Sequence, residues 1–97
     1  MKFILLVSIL GLVSACSSAP GVLTEGGKEV ETLANKPGTE CNVVGKVVGE
    51  SEQGSPEMAR NHARNLTAKL RGNSMFINQE VPNGAKIQVF ATAYDCQ

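Results

Sequence analysis

Residues 41–72, CNVVGKVVGESEQGSPEMARNHARNLTAKLRG, contain a strand, a loop and a helix in succession, and that order decides the fold. Val43, Val44, Val47 and Val48 place apolar side chains on both faces of an extended run, the pattern of a central strand. Gly45 and Gly49 within it mark a bulge or the close approach of another backbone. A polar loop, 50–54, follows. Ser55-Pro56 then supplies an N-cap residue and a proline at the first helical position, and Glu57 adds negative charge to the first turn. Ala59, Ala63, Leu66 and Leu70 recur on one face at helical spacing. Arg60, Arg64, Thr67 and Arg71 line a neighbouring face, which reads as solvated or, alternatively, as a contact for lipid head groups or an acidic partner. Gly72 is expected to end the helix in the left-handed conformation. The alanine-rich stripe predicts a helix lying close to a sheet.

Working outward, residues 75–81 and 86–94 read as two more strands around Pro82-Asn83-Gly84. Asn-Gly suggests a two-residue turn, but that register splits the apolar sets. A three-residue loop, with Val81 opposite Ala85, aligns Met75, Ile77 and Val81 with Ile87, Val89, Ala91 and Ala93. A slip of one residue would send every side chain to the other face, so the longer loop is favoured. Upstream, 28–33 alternates like a half-exposed edge strand, and 35–39 with Pro37-Gly38 is a turn. The order β-β-α-β-β defines an α+β domain, a small four-stranded mixed sheet with one helix packed on one face. The strand–helix–strand unit is a right-handed crossover between parallel strands, and the last strand runs antiparallel to both. Cys41 and Cys96 then fall at the same edge of the sheet.

The N-terminus gives an address. Met1-Lys2 is followed by an apolar run from Phe3 to Val13, and Val13-Ser14-Ala15-Cys16 reads as the lipobox of a bacterial lipoprotein signal peptide. The run is about 11 residues, short of the roughly 17–25 that span a bilayer. Residues 1–15 are expected to be removed, leaving Cys16 as the lipidated first residue, 16–27 as a flexible tether and 28–97 as the folded domain. Of the three cysteines in the chain, lipidation of Cys16 leaves Cys41 and Cys96 as an even pair in an oxidising compartment. A disulfide is favoured there over a metal site built from Cys41, Cys96 and His62, which would need the pair reduced. Ser17 after the lipidated cysteine favours sorting to the outer membrane, facing the periplasm.

The charge balance argues against nucleic acid: Lys plus Arg equals Asp plus Glu at nine each, and loss of Lys2 leaves a formal −1. No catalytic constellation is present. Ser51, Ser55 and Ser74 have no plausible base, His62 reads as a solvated helix position, and Gly45-x-x-x-Gly49 lacks the rest of a phosphate loop. No cofactor is expected, and the chain does not read as an enzyme. The favoured register puts Phe76, Phe90 and Tyr94, all the aromatics after Cys16, on the sheet face away from the helix. That face is a candidate interaction surface, unless the tether or the first strand folds over it.

Cys41 with Val44-Gly45-x-Val47-x-Gly49, the Ala/Arg-rich helix and Gly72-Asn73 entering an apolar strand resemble a family of small Gram-negative outer-membrane lipoproteins similar to the folded domain of RcsF. The resemblance covers roughly 41–96 plus the lipobox. It implies a sheet packed against one helix, a partner-binding domain in the cell envelope and no enzyme activity. Domains of that kind carry two disulfides and follow a long Pro-rich linker, whereas this chain has cysteines for one bond and a short linker. Two expectations follow: an anchored interaction module for an envelope protein or for stress sensing, and, as the alternative, a small-ligand or metal-binding homo-oligomer.

Overall fold

The computed structural model describes residues 21–97, so the expected signal segment, Cys16 and the first part of the expected tether lie outside the described residues. The elements in chain order are α1 (Glu25–Lys28), β1 (Glu31–Leu33), β2 (Cys41–Ser51), α2 (Pro56–Lys69), β3 (Ser74–Asn83) and β4 (Lys86–Cys96). The strands form one mixed sheet in the order β1-β3-β4-β2. β1 pairs parallel with β3, while β4 pairs antiparallel with both β3 and β2. The α+β class, the four strands and the helix on the sheet agree with the sequence reading.

α2 forms where its caps dictate. Ser55 Oγ accepts from the Met58 amide at 3.2 Å and Pro56 opens the first turn. At the other end the left-handed residue is Arg71 (φ 66°), one position before the expected Gly72. Gly72 N–H donates to Thr67 O at 3.0 Å and Arg71 N–H to Ala68 O at 2.9 Å, the paired bonds of a Schellman ending. Gly72 is required instead for space, because a Cβ there would lie 2.9 Å from Tyr94 O.

The core lies between α2 and one face of the sheet: Ala59 and Ala63 from the helix, Val47, Met75, Val89 and Ala91 from the strands, and Val30 from the segment before β1. Leu66, Ile77 and Ile87 pack at its margin. Gly49 on β2 lies directly beneath the helix, where a Cβ would come within 2.6 Å of the Ala63 amide nitrogen. Small residues on both sides therefore let two backbones approach.

Three expectations are corrected. β2 is an edge strand, not a central one. Val43 and Val48 lie on the open face, 61% and 39% exposed, so apolar side chains on both faces mark neither cover on both sides nor a neighbour at each edge. Its outer edge is interrupted instead, by a bulge between Val43 and Gly45 and by His62, whose Nδ1 accepts from the Glu50 amide at 3.0 Å. The half-buried His62 is thus a partner of β2 and not a freely solvated helix residue. The β3–β4 connection is a two-residue turn at Gly84-Ala85, with Asn83 opposite Lys86. Gly84 has φ 67°, which a II′ turn requires at its first central position. A bulge at Asn78 absorbs the odd residue, so Met75 and Ile77 still face Ala93 and Ala91 while Val81 moves opposite Gln88.

The third correction concerns residues 21–28, read as tether and strand start. They form a strap across the outer side of α2. Asn61 Nδ2 donates to Gly21 O at 3.1 Å and Asn65 Nδ2 to Val22 O at 2.9 Å. Asn65 Oδ1 accepts from the Thr24 amide at 2.9 Å, and Thr24 Oγ1 caps α1 by accepting from Gly27 N–H. Arg64 then holds Lys28 O at 3.2 Å and Val30 O at 3.1 Å, which leads the chain into β1 at the sheet edge. α2 is covered on both sides, by sheet and by strap, which explains why Asn65 and Thr67 are buried. Only Glu31–Leu33 of the expected first strand pairs with the sheet.

Candidate interaction face

Register places Phe76, Phe90 and Tyr94 on the sheet face away from α2, as the alternation requires. Phe90 stands opposite Val48 on β2 and Gln79 on β3; Phe76 stands opposite Thr92; Tyr94 stands opposite Val43 and Ser74. The structure divides these three. Phe76 and Phe90 are half-buried, but Tyr94 is only 6% exposed. β1 lies at one edge of the sheet and β2 at the other, so residues 34–40 must return past the end where Ser74, Tyr94 and Cys96 lie. A crevice of about 410 Å³ between that loop and the sheet is lined by Leu33, Pro37, Cys41, Ser74 and Cys96. Tyr94 therefore leaves the candidate surface.

The disulfide closes this covered end. Cys41 and Cys96 are direct partners in the β2–β4 register and are bonded. Asn73 reinforces it, its Oδ1 accepting from Cys96 N–H at 2.8 Å and its Nδ2 donating to Cys96 O at 2.7 Å.

The remaining open surface centres on Phe90. A shallow depression of about 320 Å³ is lined by Lys46, Val47, Val48, Asn78, Gln79, Phe90 and Ala91. Val48 is 39% exposed and Val43, farther along β2, is 61% exposed. Polar side chains frame these apolar groups: Asn78 Nδ2 donates to Thr92 Oγ1 at 2.9 Å, and Gln88 Nε2 to Glu50 Oε2 at 2.8 Å. The chemistry on offer is apolar contact with a few amide and ammonium donors. Among the described residues no group of three or more His, Cys, Asp or Glu side chains could hold a metal ion.

The arginine row does other work. Arg60 donates to Glu80 at 2.6 and 3.0 Å, linking α2 to β3. The Arg60 bonds hold the Glu80 carboxyl below its ordinary range, and Glu80 in turn raises Arg60. Arg64 grips the strap, and Arg71 turns the chain. Sequence reasoning passed over Asn61 and Asn65. The signal available was two asparagines one helical turn apart, a residue type with poor helix propensity, on a face no core residue occupies.

Compared with protein-family models, with curated proteins and with solved structures, the chain matches none.

Proposed function

We propose that this protein is an outer-membrane lipoprotein, anchored through Cys16, whose small periplasmic domain binds another envelope protein, in the manner of the RcsF-like group it resembles. The observation that carries the binding role is the partly exposed apolar group formed by Val48 and Phe90, framed by Lys46, Asn78 and Gln79, on a sheet face that neither α2 nor the 34–40 loop covers. An apolar patch rimmed by polar side chains is the usual composition of a protein contact. The lipobox at residues 13–16 supports the anchor, and an oxidised Cys41–Cys96 pair fits an oxidising compartment.

Two measurements test the reading. Metabolic labelling with a fatty-acid analogue should tag the wild type and not Cys16→Ser; labelling of the serine variant sinks the anchor. Phe90→Ser should abolish crosslinks to envelope proteins in intact cells while leaving the fold in place. Crosslinks that survive in the variant remove Phe90 from the contact.

A further inference from the structure

The strap carries a consequence for orientation, which rests on the lipid-anchor reading. Gly21, the first described residue, lies on the outer side of α2: its carbonyl accepts from Asn61, and a Cβ at Gly21 would come within 3.0 Å of Met58 Cβ. This is the layer farthest from the open face. Between them stand α2, whose inner side carries Ala59 and Ala63, and the sheet itself. Cys16 precedes Gly21 by five residues. Five residues span at most about 18 Å when fully extended. A helix with its side chains is already about 10–12 Å across, so a chain of that length reaches the strap side freely. It cannot also pass around the helix and the sheet behind it.

We infer that the surface formed by the strap and the outer side of α2 rests against the head groups of the bilayer that anchors Cys16, and that the Phe90 face points away from that bilayer. The occupant is the protein's own membrane. Val22 at this surface is 62% exposed, an apolar side chain one residue from the point where the linker leaves. An exposed apolar side chain at the point of attachment suits insertion among lipid head groups. The strap thus does in this chain what a longer linker would undo: it fixes where the lipid leaves the domain.

The experiment uses the full lipidated protein in vesicles of phosphatidylethanolamine and phosphatidylglycerol containing a lipid spin-labelled at its head group. A fluorophore is placed through Val22→Cys or Glu25→Cys on the strap, and through Lys46→Cys or Gln79→Cys on the open face, with the Cys41–Cys96 bond confirmed by mass in each. Quenching at positions 22 and 25 should exceed that at 46 and 79 several-fold. Hydrogen exchange on the unsubstituted protein provides a second readout free of variants: vesicles should slow exchange across 21–28 and leave β2 and β4 unchanged. Equal or reversed contrast on protein that carries lipid and floats with the vesicles overturns the orientation alone. Absence of lipid on Cys16, with no flotation, overturns the anchor and the orientation together.

Discussion

The two faces of this sheet are built from opposite materials. The face under α2 uses Ala91, Ala93, Val89 and Met75, all buried, against Ala59 and Ala63. The far face carries the large side chains Phe76, Phe90 and Tyr94, and only Tyr94 is covered. Large aromatic side chains bury more area apiece, yet here they lie outside the core. The difference teaches that cover is decided by where the chain can go. Small residues let α2 settle onto β2 at Gly49, the strap seals the helix from behind, and among the described residues the chain left for the other face is the loop 34–40. That loop covers one end and stops.

The sharpest way to break the comparison is to open the covered end. Replacing both Cys41 and Cys96 with Ser releases a link across 55 residues, for which the chain-entropy treatment gives about 4 kcal/mol. The melting temperature should fall by about 15 °C or more in a domain this size, read by circular dichroism against the oxidised parent. A smaller fall would mean that the 34–40 loop and the Asn73 bonds hold that end without the bond. The second test attacks the helix side. Gly49→Ala forces a methyl group into the Ala59–Ala63 backbone and should cost about 2–3 kcal/mol by overpacking. Urea denaturation measures it, and a neutral result would show that α2 is not seated as tightly as its small residues allow.

On the open side the same treatment should do far less. Phe90→Ser removes a half-buried ring and should cost about 1 kcal/mol. A loss as large as that of Gly49→Ala would make Phe90 core and erase the contrast between the faces. The smallest effect is electrostatic. Because Arg60 lowers the Glu80 carboxyl in the folded state, its contribution is present above the unfolded carboxylate range and is lost as pH falls through the lowered folded value. The pair is partly exposed, so the amount is below about 1 kcal/mol. Glu80→Gln should therefore be slightly less stable than the parent at neutral pH, and the two should converge in acid; a gap that persists there would place the effect in packing.

Much of the scaffold was legible because local rules and tertiary need agree. Ser55-Pro56, the alanine stripe and the parity that aligns Met75 and Ile77 with Ala91 and Ala93 each have one physical solution. The Cys41–Cys96 pairing followed from topology. What escaped depended on partners distant in sequence. Residues 21–28 are small and polar, which reads as a tether, and nothing local reveals that Asn61, Arg64 and Asn65 grip their carbonyls and amides about 40 residues away. The place of β2 at the edge escaped because Val43 and Val48 are apolar yet exposed on the open face, so the valine pattern does not report lateral pairing. The turn escaped because the bulge at Asn78 corrects a parity that the hairpin alone would break. Of the candidate surface, alternation set the face that Phe76, Phe90 and Tyr94 share, while the burial of Tyr94 cannot be read from alternation.

The interrupted edge of β2 also governs how this domain can meet other polypeptides. An exposed strand edge recruits extended peptides through their backbones, largely without regard to sequence, and seeds runaway stacking between copies. Here His62 occupies the Glu50 amide and the bulge at Val43–Gly45 bends the strand, leaving only a short run around Lys46 and Val48. On the other border the three residues of β1 pair with Ser74, Met75 and Phe76, and beyond them β3, bulged at Asn78, forms the edge itself. Among the described residues, templated addition of a strand along β2 therefore has only the short run around Lys46 and Val48 to land on, and a protein associating at this border must be selected by the shape and chemistry of its side chains.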